Sequence, residues 1–246
     1  MFQVYSFVRE EFCLNRIMLA VFNLYGTGHM WVLISIIATA ALIILFCKKN
    51  EHSPQAKACI SLLTFCCFAA YPINLLAWES VGGAAELDAV FPFHLCDIAA
   101  FLCGFALITR RPLLCELSYF WGLAGTMQGL LTPNLAYNFP HPVFFAFFLQ
   151  HGVIVITAIV LPLGLGWRPR SGAVKRVFGW VIIYAVAAFL VNFFLDTNYG
   201  FLMRKPNEAS LLDVMPAWPG YVFCVTGLAG VFFFALNLPF KCSQKK

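Results

Sequence analysis

The chain has 246 residues, 61% hydrophobic and only 11% charged, with a mean hydropathy of +0.82. A soluble domain of this length has no use for so much apolar surface, so composition places the chain in a bilayer, as one polytopic bundle with no separate soluble domain. The formal charge of +5 does not point to nucleic acid, because the basic residues sit in short connections between apolar runs, where they report orientation.

Residues 1–27 carry Arg9, Glu10, Glu11 and Arg16 and lack the basic n-region, continuous apolar core and cleavage site of a secretory leader, so they are expected to form an interfacial helix. Runs long enough to cross about 30 Å of hydrocarbon follow near 29–47, 57–78, 91–108, 113–131, 142–163, 174–195 and 215–239. The fold expected is therefore all-α, seven transmembrane helices within 28–240 and a basic tail at 241–246. Lys48, Lys49, Lys57, Arg110, Arg111, Arg168, Arg170, Lys175, Arg176, Lys241, Lys245 and Lys246 fall on one set of alternate connections. Arg9, Arg16, Arg204 and Lys205 fall on the other. That bias predicts an outer N-terminus and a cytoplasmic C-terminus. Most of the ten cysteines lie in or beside apolar runs, where Cys behaves as a small hydrophobe, and no disulfide framework is expected.

With this orientation the polar residues converge on the outer half. Glu79 closes the second run, His94, Cys96 and Asp97 open the third, Gln128 lies near the end of the fourth, and Asn192 and Asp196 end the sixth. His151, beside Gln150, lies about nine residues into the fifth run, roughly 13 Å deep, and Cys96 about five residues into the third, roughly 8 Å. Ionisable groups within hydrocarbon are costly and mark functional sites.

A thiol becomes a useful nucleophile when a base takes its proton. Cys96 is read as that nucleophile and His151 as its general base and later acid. His94 and Asp97, three apart on one helical face, form a structural or orienting pair, and Asn192 and Gln128 are possible donors to an oxyanion. Each also has a plain structural reading: a buried cysteine packs, a buried histidine bonds a carbonyl or a glutamine, and intramembrane amides join helices. Residues His94, Cys96, Asp97 and His151 include acceptable zinc ligands, but ligands two apart on a helix point to opposite sides, so neither metal nor cofactor is expected. No Gly-X-Ser-X-Gly, phosphate loop or dinucleotide fingerprint is present.

Gly122, Gly125 and Gly129 are expected on one face of the fourth run, where a neighbouring backbone could approach. The tight link Thr109-Arg110-Arg111-Pro112 predicts an antiparallel hairpin, and the half-apolar stretch Asn198 to Asp213 a lid at headgroup level.

Phe93-His94-Leu95-Cys96, Tyr119 to Gly125, Leu131-Thr132-Pro133, Asn198-Tyr199, Lys205-Pro206 and Ser210 to Asp213 together resemble the YwaF-like family of bacterial integral membrane proteins. That family is similar to a eukaryotic cysteine-dependent acyltransferase of ether phospholipids and, more distantly, to membrane hydrolases of fatty-acid esters that use a threonine and a histidine. Carried over by position in the bundle, the resemblance implies Cys96 and His151 as the catalytic pair. Supporting or substrate-binding candidates are His94, Asp97, Gln128, Gln150, Asn192, Asn198, Tyr199 and Glu79. The expectation is a lipid acyltransferase or ester hydrolase of the bacterial cytoplasmic membrane, working through an acyl-thioester on membrane lipids. The reading from another class is a transporter or lipid- and small-molecule-binding protein that uses the His and Asp cluster without catalysis.

Overall fold

The computed structural model describes residues 22–81, 91–206 and 210–242, and these are helical with no strand among them. The expected interfacial segment up to residue 21, the 82–90 connection, residues 207–209 and the tail from 243 lie outside the described residues. Residues 22–26 form a turn and not the end of a helix. Phe22 donates its backbone N–H to the Ala136 carbonyl at 3.0 Å, which ties this turn to the connection between residues 132 and 141.

The helices are α1 (Thr27–Lys49), α2 (Pro54–Glu79), α3 (Leu95–Thr109), α4 (Pro112–Trp121), a π-helical turn (Gly122–Thr126) leading directly into α5 (Met127–Leu131), α6 (Pro142–Leu163), α7 (Ala173–Leu195) and α8 (Gly220–Cys242). Among the described residues α1, α2, α6, α7 and α8 are long and apolar enough to cross a membrane. Helix α3 has only 15 residues, about 22 Å at 1.5 Å per residue. It is shorter than the apolar run because Pro92 biases Phe91 toward extended backbone and His94, itself extended at φ −64° and ψ 148°, caps the helix. The fourth run is not a uniform helix either, since the π turn splits it.

Helix α6 is the central post. In its most apolar 18-residue window 78% of residues are buried, against 17% or fewer in the other four long helices. A helix apolar on every side is stable only when surrounded, and α1, α2, α3, α4 and the π turn all pack on it. Ala146, Gly152, Thr157 and Ala158 keep it slim. One cluster of Ala40, Cys67, Ala70, Ala99, Ala100, Cys103, Ile154 and Val160 joins α1, α2 and α3 to it. Helices α7 and α8 lie on the other side of α4, where Phe120, Trp121, Val177 and Phe233 form a second cluster.

Local signals set several boundaries. Ser53 accepts the Ala56 N–H at 3.2 Å with Pro54 following, and His141 Nδ1 accepts the Val143 N–H at 3.2 Å with Pro142 following. The α3–α4 hairpin turns through Arg110 in the left-handed region, φ 53°, before Pro112. His29 is fully buried and clamps α1 to α5: its Nδ1 accepts the Tyr25 N–H at 3.0 Å and its Nε2 donates to the Leu130 carbonyl at 2.8 Å. Among the described residues Cys47, Cys59, Cys66, Cys67, Cys96, Cys103, Cys115 and Cys224 are all free thiols.

On the Arg-rich side Glu116 of α4, whose side chain is wholly buried, accepts from two guanidinium groups. Arg170 in the α6–α7 connection donates through Nε at 2.9 Å and Nη2 at 3.0 Å, and Arg176 in α7 through Nη2 at 2.8 Å and Nε at 3.1 Å. The forked geometry suits paired carboxylate oxygens. It fastens α7 to α4, which the sequence reading, treating these arginines as topology markers, did not foresee.

A buried carboxylate left without partners costs several kcal/mol, whereas half-exposed arginines can turn to water. Replacing Arg170 and Arg176 together by alanine is therefore expected to lower the thermal midpoint in detergent by on the order of 10 °C, and Glu116→Gln by less than half as much. Equal losses would assign the effect to packing alone.

Candidate functional site

Helix α3 begins at the end of the bundle opposite the Arg110 turn. Asp97, at its third position, accepts the His94 backbone N–H through Oδ2 at 3.1 Å, the carboxylate arm of a capping box. His94 and Asp97 do not share a helical face, since His94 is the extended N-cap and only its main chain meets the carboxylate. The His94 ring instead lies against Tyr199 and Phe201, with centroids at 5.2 and 5.8 Å. Cys96 is consequently the second residue of the helix, not the fifth or sixth, and its backbone N–H precedes the first hydrogen bond of α3, made by Asp97 to the His94 carbonyl.

The Cys96 sulfur lies 3.3 Å from His151 Nε2. His151 Nδ1 sits 2.8 Å from the Phe147 carbonyl one turn earlier on α6. A carbonyl can only accept, so Nδ1 carries the proton, and in the neutral imidazole Nε2 is the lone-pair nitrogen that faces the thiol. The ring is further held by stacking on Phe147, with centroids 4.0 Å apart and planes at 19°. Gly129 provides the space: a Cβ there would lie 2.5 Å from His151 Cδ2 and 2.8 Å from Nε2.

Beneath the dyad runs a chain of amides. Gln150 donates through Nε2 to Asp97 Oδ1 and accepts from Asn74 Nδ2 at 3.2 Å, so α2, α6 and α3 are joined in a row. Asp97 is thereby occupied on both oxygens, and His151 and Asp97 are served by different faces of their helices. Tyr184 of α7 donates its hydroxyl to the Phe93 carbonyl at 3.2 Å and closes the other side.

The three glycines do not share one role. Gly122 faces Ala158 and Ile154 of α6, Gly125 faces Leu95 of α3, and Gly129 faces His151. The extra residue in the wider π turn rotates the sequence after Gly122, so the regular spacing of three and four does not give a single face. Next to Gly125, Thr126 is 1% exposed, and its hydroxyl lies beside the Cys96 sulfur without forming a hydrogen bond of regular geometry to any described group.

Several expected site residues are placed elsewhere or are already committed. Asn192 donates Nδ2 to the Tyr199 carbonyl at 3.0 Å and accepts from Tyr199 N–H and Thr197 Oγ1 at 2.7 and 2.9 Å. It is a loop clamp: its oxygen accepts twice and one of its two amide hydrogens is held by the Tyr199 carbonyl. Asn198 likewise donates to the Arg204 carbonyl at 2.9 Å and accepts from the N–H groups of Met203 and Arg204. Asp196 takes the left-handed conformation that ends α7, φ 51°. Tyr199, 1% exposed, packs on Phe93 and His94, so the loop after α7 lies against the start of α3. Glu79 is exposed at the end of α2 and makes no hydrogen bond or ion pair among the described residues. The half-buried Gln128 side chain has no hydrogen bond among them either.

Sequence reasoning passed over Asn74, Tyr184 and Thr126. Asn74 was visible as a lone amide in an apolar run; Thr126 carried no signal, because a helical threonine ordinarily bonds its own backbone. A lateral groove of about 620 Å³ between α2 and α6 is lined by Ile73, Leu76, Phe145, Ala146 and Leu149. At about 100° per residue its α6 residues lie on the side opposite His151, so this groove does not open on the dyad.

If Gly129 is what admits the imidazole, Gly129→Ala is expected to slow iodoacetamide alkylation of Cys96, followed by peptide mass, at least about tenfold. Gly125→Ala, whose Cβ would meet only Leu95 at 3.4 Å, should change it less than about twofold, within the slack of an ordinary contact. A Gly129→Ala protein that alkylates normally would dissociate the glycine from the dyad.

The chain is similar to an uncharacterized protein of Treponema pallidum (strain Nichols), 31% identical over 156 residues, which is 62% of this chain and 63% of that protein. The match thus spans less than two thirds of the relative's length. No solved structure matches. The profile of the TMEM164 family matches residues 24–237, from the turn before α1 to the last part of α8, and the chain belongs to the TMEM164 family.

Proposed function

We propose that this protein is a membrane-embedded lipid acyltransferase, or a hydrolase of lipid esters, in which Cys96 carries the acyl chain as a thioester and His151 moves the proton. The observation that carries the reading is the 3.3 Å contact between sulfur and Nε2, with Nδ1 committed to the Phe147 carbonyl. This is the tautomer a general base needs, and it lies within hydrogen-bond reach of a sulfur donor.

In the first step the Cys96 thiol gives its proton to His151 Nε2 as sulfur bonds to the ester carbonyl carbon, and the carbonyl π pair moves onto oxygen. Collapse of the tetrahedral adduct breaks the carbon–oxygen bond, and the departing alkoxide takes the proton from His151. In the second step a lysolipid hydroxyl or water gives its proton to His151 and attacks the thioester, releasing the Cys96 thiol. Only exclusion of water from that second step separates a transferase from a hydrolase. The resemblance to YwaF-like proteins and to cysteine-dependent ether-phospholipid acyltransferases supports the assignment of both residues.

The same reading takes the chain across the bilayer seven times, with α3 and the α4–α5 segment as the two shorter crossings, the N-terminus outside and the C-terminus in the cytoplasm. The Arg-rich turn at Arg110 and Arg111 and the Glu116 cluster then face the cytoplasm. Cys96 and His151 lie toward the outer leaflet of a bacterial cytoplasmic membrane, where phospholipid or lysolipid arrives laterally.

Incubation with phospholipid is expected to add an acyl mass to Cys96 that hydroxylamine removes, and Cys96→Ala should lose both adduct and transfer while keeping its thermal midpoint. His151→Ala should slow acyl transfer by about 10²–10⁴-fold. Full transfer by Cys96→Ala, or lipid held tightly with no adduct in the native protein, would replace this reading by that of a noncovalent lipid binder.

A further inference from the structure

Every hydroxyl inside a bundle of this kind needs a use, and most threonines here share one. Thr39, Thr64, Thr109, Thr132 and Thr226 each donate to the carbonyl four residues back, at 2.7, 2.8, 2.7, 3.1 and 2.8 Å. This is the usual way for a threonine on a helix to satisfy itself where water is absent. Thr126 does not do so. It is 1% exposed, its Oγ1 has no hydrogen-bond partner among the described residues, and it stands at the last position of the π turn. The wider turn changes which carbonyl lies one turn back. Of the buried side-chain polar atoms without a partner among the described residues, Ser118 Oγ, Trp121 Nε1, Thr126 Oγ1, Asn134 Oδ1 and His141 Nε2, Thr126 is the one beside the Cys96 sulfur, and each such group calls for an explanation.

The π turn packs on the start of α3, with the Cβ position of Gly125 3.4 Å from Leu95, and this sets the next residue, Thr126, beside Cys96. The Cys96 backbone N–H lies in the first turn of α3 and has no helical acceptor. Two donors of different origin, one on the main chain of α3 and one on a side chain of the π turn, therefore flank the atom that would attack. Once sulfur has bonded to a carbonyl carbon, the oxygen on that carbon lies two bonds from the sulfur, within reach of donors that flank it. Asn192, the other amide expected to serve here, clamps the loop after α7.

We propose that Thr126 Oγ1–H and the Cys96 N–H form the oxyanion-binding pair of the thioester chemistry, with the π turn holding the threonine away from its own backbone for that purpose. This rests on the cysteine reading given above. As the carbonyl π pair moves to oxygen, both hydrogen bonds form; when the adduct collapses and the alkoxide leaves, both are released, and Thr126 neither gains nor loses its proton. The ligand class is an acyl ester or thioester carbonyl. A ketone analogue of the lipid ester, which sulfur can add to but not cleave, would bind to the same pair.

The experiment separates attack on a carbonyl from attack on a saturated carbon. The full-length protein in detergent is given para-nitrophenyl octanoate, whose acylation of Cys96 passes through an oxyanion, and in parallel iodoacetamide, whose alkylation of the same thiol does not. Both are followed at the Cys96 peptide by mass, alongside the thermal midpoint. Thr126→Val is expected to lose about 10²–10³-fold in acylation rate while alkylation changes less than about twofold. Thr126→Ser, which keeps the hydroxyl, should stay within about fivefold of the native rate, and Thr126→Ala serves if the valine variant does not fold. Equal loss of acylation and alkylation would make Thr126 a packing or thiol-orienting residue and overturn the proposal, as would native acylation in Thr126→Val. Cys96→Ala run beside them reads the underlying assignment on its own: acyl release continuing at the native rate without Cys96 would remove the nucleophile, not the threonine.

Discussion

A bundle in hydrocarbon has no water to lend its polar groups, so each buried donor and acceptor must be answered by the protein itself. Much of this structure follows from that constraint. Helix α6 carries His151 and Gln150 through the centre of the bundle, and both side chains are buried because α1 to α5 and the π turn pack around it. Its surround of alanine, cysteine and small aliphatic side chains allows close approach. The polar residues it contains are then fixed by partners close at hand: Phe147 for one imidazole nitrogen, Asp97 and Asn74 for the amide.

The same rule assigns work to residues that would otherwise invite functional readings. Glu116 is buried and charged, and two forked arginines complete it. His29 is buried, and both ring nitrogens are engaged. Asn192 and Asn198 bond the backbone of the loop after α7, which places Tyr199 and Phe201 against His94. Satisfied groups of this sort hold helices in register. The Cys96–His151 contact differs because its partners are a weak donor and a basic nitrogen, a pairing that contributes little to packing and is suited to proton transfer. Thr126 differs again, as a hydroxyl next to that contact with no partner of its own.

Several features follow from helix starts. Helix α3 begins at Leu95 because Pro92 and the Asp97 carboxylate prevent the helix from extending back to Phe91. That shift puts Cys96 in the first turn, where its N–H is still unclaimed. The α4–α5 segment lies on the facing side: Gly129 faces His151 and Thr126, three residues earlier on the same helical face, lies near Cys96.

The one-dimensional pattern determined what summed hydrophobicity and charge can determine: an all-helical membrane protein, the approximate limits of most of its apolar helices, the tight α3–α4 turn at Arg110, and the candidates Cys96 and His151 as reactive groups in apolar runs. These depend on transfer free energy and local propensity, which act residue by residue. Tertiary structure decided which polar residues are spent and which remain available. Asn192 and Asn198 proved to be loop clamps, Glu79 lies exposed, Glu116 anchors α7, and the glycines of the fourth run face three different neighbours. Nothing in the spacing of Gly122, Gly125 and Gly129 signals a π turn, and nothing near Thr126 signals that its hydroxyl lacks a carbonyl. The reason is physical: hydrogen-bond satisfaction is a property of pairs, and the partners here come from helices up to about a hundred residues apart, brought together only when the bundle packs.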